Sequence, residues 1–218
     1  MNRPLRLATV ALTASAALLL TSCGSGDDES KDNDKIAGAE QEGGEKSTSP
    51  SASPSGDSNR PEIKLPADLT MTFESPRTGD AVKKAVLADN AERMRAVNAA
   101  ITGTDPQSKA VGYYNTGKAL EAAATWIEEF KDAGLTLTGT VRYYDRQVTL
   151  KDKNTATLSF CADEGKGFSK KKKTNKINKT PVTKKSYVGY NTQLVKNGDG
   201  AWQTSQIIST RGAAQCQP

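Results

Sequence analysis

The sequence predicts an α+β domain in which two or three helices are packed in a curved, four-stranded antiparallel sheet. Three observations point there. Between residues 80 and 133 the apolar positions recur every three or four residues, the helical period, and after Gly134 the period switches to two. All twelve aromatic residues lie beyond Arg60, so residues 61–218 carry the core, and they contain no internal repeat of solenoid or propeller type.

Leu69, Met71 and Phe73 alternate as in a short strand or extended entry segment, which Ser75-Pro76 breaks. From about Asp80 to Ile101, Val82, Val86, Leu87, Ala91, Met94, Val97 and Ile101 mark a helix, with Thr78 as its expected N-cap. A second helix runs from about Thr116 to Ala133 on Leu120, Ala123, Ala124, Ile127 and Phe130. Trp126 lies beside that stripe, and Gly134 is the expected stop. Leu135, Leu137, Val141 and Tyr143, then Val148 and Leu150, then Ala156, Leu158 and Phe160 alternate as strands, turned at Asp152-Lys153-Asn154. Tyr187 to Val195 and Ala201 to Thr210 form the last pair, joined by Asn197-Gly198-Asp199-Gly200, whose residue types tolerate positive φ.

Ahead of the domain stand two segments of another kind. Asn2, Arg3 and Arg6 precede an apolar run of 14 residues, Leu7 to Leu20, and then small residues up to Cys23, so 1–22 has the layout of a secretory signal peptide. At 1.5 Å per residue the run covers about 21 Å, short of the roughly 30 Å a permanent membrane span needs. Leu20-Thr21-Ser22-Cys23 resembles the bacterial lipobox, which implies a diacylglyceryl-modified Cys23 and, with two acyl chains, stable anchorage. The alternative is a plain secretory signal with a chance cysteine. The expected location is the outer face of the bacterial cytoplasmic membrane, exposed to the cell-wall zone. Residues 23–60 read as the lipidated cysteine and a disordered tether. Of residues 24–60, 17 are Gly, Ser, Thr or Pro and only Ile36, Ala37, Ala39 and Ala52 are apolar, too little to offset the entropy of ordering.

The 218 residues include no histidine. That excludes His-based acid/base catalysis, Ser-His-Asp and Cys-His nucleophile systems and His-ligated metals, and no cofactor or metal is expected. With Cys23 lipidated, Cys161 and Cys216 remain in an oxidising compartment, and an even remainder favours a disulfide over a free thiol pair; no CxxC spacing supports redox work.

The order of helix pair, strand meander and cysteine pair, together with Ala85-Val86-Leu87-Ala88-Asp89-Asn90, Tyr143-Tyr144-Asp145-Arg146, Ala156-Thr157-Leu158-Ser159-Phe160-Cys161, Tyr190-Asn191-Thr192 and Arg211-Gly212-Ala213-Ala214-Gln215-Cys216, resembles actinobacterial secreted lipoproteins of unknown function with a nuclear transport factor 2-like, cone-shaped domain. The resemblance covers about residues 65–217. It implies a cone around a cavity; relatives sharing the cone include ketosteroid isomerases and scytalone dehydratases as well as non-catalytic binding modules, and fold alone does not choose among them.

Two groups of residues are candidates for function. Tyr143, Asp145 and Tyr190 are the expected polar residues of the cavity, where an Asp base with Tyr donors could move a proton beside a carbonyl. Tyr143 and Asp145 are expected on one sheet face, with packing against Arg142 or Arg146 as the competing role of Asp145; Tyr113, Tyr114, Tyr144, Tyr187 and Asp163 complete the set, Asp163 reading as a turn or cap residue. The other group is basic. Lys166, Lys170, Lys171, Lys172, Lys173, Lys176, Lys179, Lys184 and Lys185 lie in a stretch without acidic residues and read as a solvated loop between two strands. The domain holds 24 basic and 16 acidic residues, so without these nine its net charge of +8 becomes −1. Lys170, Lys171, Lys172, Lys173, Lys176 and Lys179 are the expected contacts to anionic envelope polymer or lipid headgroups. No aromatic residue interleaves with them, so nucleic acid is not an expected partner.

The expected function is a membrane-anchored, non-catalytic binding or interaction module for a protein or small-molecule partner. The alternatives are a lyase- or isomerase-like enzyme using an Asp/Tyr pair, and a structural envelope protein touching anionic polymer through its lysines.

Overall fold

The computed structural model describes residues 60–218; the signal segment 1–22, Cys23 and the tether to residue 59 lie outside the described residues. The order is β1 (Leu69–Phe73), α1 (Ala81–Thr102), α2 (Lys109–Tyr114), α3 (Gly117–Asp132), β2 (Leu135–Leu150), β3 (Thr155–Lys171), β4 (Ile177–Asn178), β5 (Tyr187–Lys196) and β6 (Trp202–Arg211). The α+β class is as expected, and β2-β3-β5-β6 form an antiparallel meander. The sheet is wider than four strands and mixed: β1 pairs in parallel with β2, and the short β4 pairs with β3. A parallel pair needs a long crossover, and the three helices between β1 and β2 supply it.

Capping defines the helices. Asp80, not Thr78, is the N-cap of α1: its carboxylate accepts the N–H groups of Val82 and Lys83 at 2.8 and 3.0 Å, while Thr78 Oγ1 accepts the Asp80 N–H. Gly103 ends α1 and Gly134 follows α3, both at positive φ. The face of α1 bearing Val86, Leu87 and Met94 packs on Tyr143, Leu158, Phe160, Val188, Leu194 and Trp202 of the sheet, and a second cluster joins Val97 and Ile101 to α2 and α3. Val82 and Leu120 keep the helical period but stand in the first turns of their helices and remain exposed.

Three irregularities bend the long strands and decide which side chains face inward. In β2 an extra residue between Tyr144 and Gln147 puts Asp145 at φ 48°. The expected alternation of Tyr143 and Asp145 therefore fails: Tyr143 is buried, Asp145 is exposed, and Arg146 turns inward to donate to the Leu87 carbonyl. In β3 the extra residue lies just after Asp163, which is inside the strand; its carboxylate accepts the Gly165 N–H at 2.9 Å, the local capping role expected of it. In β6 Ser205 is the extra residue, since Leu194 pairs with Thr204 but Gln193 with Gln206. The helix-facing positions thus change from the buried Trp202 and Thr204 to Ile207, Ser209 and Arg211, of which Ser209 and Arg211 stay exposed at the sheet's end, and Ile208 points to solvent.

Cys161 and Cys216 are bonded, Cα atoms 5.5 Å apart, beneath Tyr144, Tyr187 and Ala213. The basic stretch is not one loop, because β3 continues through Lys166, Lys170 and Lys171 before turning into β4.

Candidate functional site

A cleft of about 310 Å³ opens between α1, α3, β5 and β6. Helix α1 contributes Arg93, Met94 and Val97, α3 contributes Ala122, Ala123 and Trp126, and the strands contribute Val188, Tyr190, Ile207, Ser209 and Arg211. The lining is mixed, with apolar side chains interrupted by the polar groups of Arg93, Tyr190, Ser209 and Arg211. None of the lining side chains is a carboxylate. The shift at Ser205 is what brings Ile207, Ser209 and Arg211 to this cleft.

Arg93 is 5% exposed. Its Nε donates to Asn115 Oδ1 at 2.7 Å and Nη1 meets the Met94 sulfur at 3.2 Å, and Asn115 in turn donates to the Val111 carbonyl. Burial lowers its pKa to about 10, a loss partly countered by the nearby Tyr190 and Tyr143, so it stays charged at neutral pH. Burial likewise pushes the Tyr143 and Tyr190 hydroxyls well above the ordinary tyrosine range, and Glu164 adds to both shifts. Both phenols are therefore neutral hydrogen-bond donors. Tyr190 stacks on Phe160, which packs against Tyr143, so a row of rings fixes the two hydroxyl-bearing residues.

Of the three expected cavity residues, Tyr190 lines this cleft, Tyr143 lies buried beside Arg93, and Asp145 is elsewhere. Its carboxylate is 4.0 Å from Arg77, not on Arg142 or Arg146, at the edge of a surface cleft with Glu74; with Tyr190 it also borders a shallow outer depression beside the disulfide. The carboxylate that does act on Tyr143 and Tyr190 is Glu164, unforeseen from sequence and ion-paired to Arg211 at 2.7 Å. Arg93 was also missed, although the spacing Val86, Asn90, Arg93, Val97 places a cation on the apolar stripe of α1.

No family model matches the chain, and no curated protein matches it. Solved structures similar to it include a ketosteroid isomerase-like protein from Erwinia carotovora atroseptica, 17% identical, covering 61% of this chain and 97% of that one with a TM-score of 0.42. Another is a nuclear transport factor 2-like protein of unknown function in nutrient uptake from Rhodospirillum rubrum, 13% identical over 61% of this chain and 98% of that one, TM-score 0.39. A third is the intermembrane space region of the chloroplast protein ARC6, 13% identical over 62% and 99%, TM-score 0.39.

The lysines form a separate surface. Eight of the nine are exposed, the exception being Lys170, whose ammonium bridges Asp68 at 2.5 Å. Lys170 thus ties the end of β3 to the entry of β1, and Lys171, Lys172, Lys173, Lys176 and Lys179 are the expected contacts that remain open to a partner. Among the described residues no group of three acidic or cysteine side chains could hold a metal.

Proposed function

We propose that this chain is a bacterial lipoprotein held on the outer face of the cytoplasmic membrane through Cys23, whose domain takes a small ligand, without catalysing a reaction, in the cleft between α1, α3, β5 and β6. The cleft carries this reading: Met94, Val97, Trp126, Val188 and Ile207 give it apolar surface beside Arg93 and Tyr190. An isomerase-like enzyme would need a base within reach of the substrate, and the cleft's lining has none. Native mass spectrometry of the exported full chain is expected to show a co-purifying small molecule that is lost on denaturation. A stoichiometric apo protein, together with no binding of apolar probes, would overturn the reading. Changing Cys23→Ala is expected to abolish labelling by a palmitate analogue and release the chain to the medium; continued membrane retention would overturn the anchoring.

A second reading has its own observation. The exposed lysines from Lys166 to Lys185, with no acidic residue among them, favour contact with anionic wall polymer or headgroups, at about 1 kcal/mol per lysine near such a surface. Vesicles containing phosphatidylglycerol should retain the unlipidated Cys23→Ala chain at low salt and release it as salt rises. Changing Lys171, Lys172, Lys173 and Lys176 to Gln should weaken that retention strongly, and Lys170 is left intact because it holds Asp68.

A further inference from the structure

We infer that the cleft selects an organic anion, a carboxylate on a compact apolar body, and that Arg93 is the residue that receives its charge. The inference rests on the cleft being a ligand site and adds the chemical class of the ligand. Arg93 is buried, yet among the described residues no carboxylate pairs with it. Two of its nitrogens reach an amide oxygen and a thioether, a weak acceptor, and Nη2 makes no hydrogen bond among the described residues. A guanidinium taken out of water without an anion is a costly arrangement, and a methionine of similar length would have filled the space more cheaply. A ligand carboxylate supplies the missing charge, and the planar fork suits it in a way an ammonium would not.

The surroundings fit the same ligand. Tyr190, which lines the cleft, and the buried Tyr143 both feel the Arg93 charge and stay neutral, so neither competes with a ligand anion for Arg93. Trp126, Val97 and Ile207 offer an apolar wall to the body of the ligand. At the rim Arg211 is half exposed, its charge balanced by Glu164, so the strong preference originates at Arg93 and not at the mouth.

Calorimetry on the purified full chain with 2-naphthoate and its neutral counterpart 2-naphthamide tests this. The acid is expected to bind at least tenfold tighter than the amide at pH 7. In Arg93→Met the preference for the acid should be lost, the two probes then binding within twofold of each other. Should that variant fail to fold, Arg93→Lys, which keeps the charge and loses the fork, is expected to cut the acid preference at least threefold. Ala122→Trp, at the exposed rim of the cleft, should weaken both probes and so locate the binding. Equal binding of acid and amide to the unaltered chain would overturn the anion preference while leaving the cleft as a ligand site. No binding of either probe would overturn both. An undiminished acid preference in Arg93→Met would remove Arg93 from the site.

Discussion

Asp89 does more for this domain than the sequence reveals. It is 1% exposed, its carboxylate pairs with Arg60, and Oδ2 accepts the Trp202 N–H at 2.8 Å, so one side chain ties the entry of the domain and the start of β6 to α1. Arg60, expected as the last residue of the tether, therefore belongs to the folded part. Asp89→Ala would strand the buried Trp202 N–H and leave Arg60 to turn to water. The expected loss is about 2–3 kcal/mol, read from urea unfolding, because an unmade buried hydrogen bond costs roughly 1–3 kcal/mol and the half-buried cation adds a part. A loss under about 0.5 kcal/mol would contradict this account. A pH effect arises at the same scale. Lys170 holds the Asp68 carboxyl below its usual 3.8, helped by the Thr138 hydroxyl, and Arg77 does the same for Glu74. A depressed carboxyl stabilises the fold above its unfolded value and loses that contribution as pH falls through the folded value. Urea midpoints should thus fall as pH drops below about 4, and Lys170→Gln should make that fall shallower. Asp89 and Arg93 escaped sequence reading for a common reason: on a helix their spacing marks them as inward, but only the tertiary neighbours say which is paired and which is not.

At the scale of elements, periodicity located α1, α3, β5 and β6 nearly to the residue and found where β2 and β3 begin, because the burial of one face imposes the period. But it ended β3 near Cys161, when the strand continues to Lys171 through residues with no apolar alternation. It could not locate the bulges. An inserted residue leaves the count of apolar positions intact and changes only which face they occupy, which is why Asp145 was expected inward and is outward, and why Ile207 and Arg211 reach the cleft. Backbone geometry in β2 gives a test. Gly139 sits at φ 95° between β1 and β3, and a Cβ there would meet the Lys166 carbonyl oxygen at 2.1 Å. Gly139→Ala should cost about 2–3 kcal/mol, combining left-handed strain with a clash against backbone that cannot step aside. Gly198→Ala, with nothing within 4 Å and no positive φ, is the control and should leave the thermal midpoint within a degree or so. Equal effects of the two changes would count against the register in which β2 lies between β1 and β3.

For the molecule as a whole, the disulfide decides how the end of the chain is held. Cys161 and Cys216 are 55 residues apart in sequence, and the link fastens the last turn to the outer face of β3, where the Tyr144 hydroxyl donates to the Cys216 carbonyl. This pairing was legible in the sequence from the cysteine count and the expected export; the packing around it was not. Gly189 sits opposite Cys161, and a Cβ there would come within 3.0 Å of Ala213 and Gln215, so the glycine makes room for the fastened tail. In the chain-entropy account such a loop is worth about 4 kcal/mol, a large share of a typical 5–15 kcal/mol stability. Reduction, or Cys161→Ser with Cys216→Ser, should lower stability by that order and expose the tail to carboxypeptidase, while unreduced protein should offer neither cysteine to an alkylating agent. The cleft gives the more informative readout. Its lining comes from α1, α3, β5 and β6 without either cysteine, so at temperatures where the reduced chain is still folded its ligand affinity should stay within about twofold of the oxidised form. A large loss of affinity on reduction, with the fold intact, would mean that the tail shapes the cleft through Val188 and Arg211, which form a cross-strand pair at the start of β5 and the end of β6, beside the fastened tail.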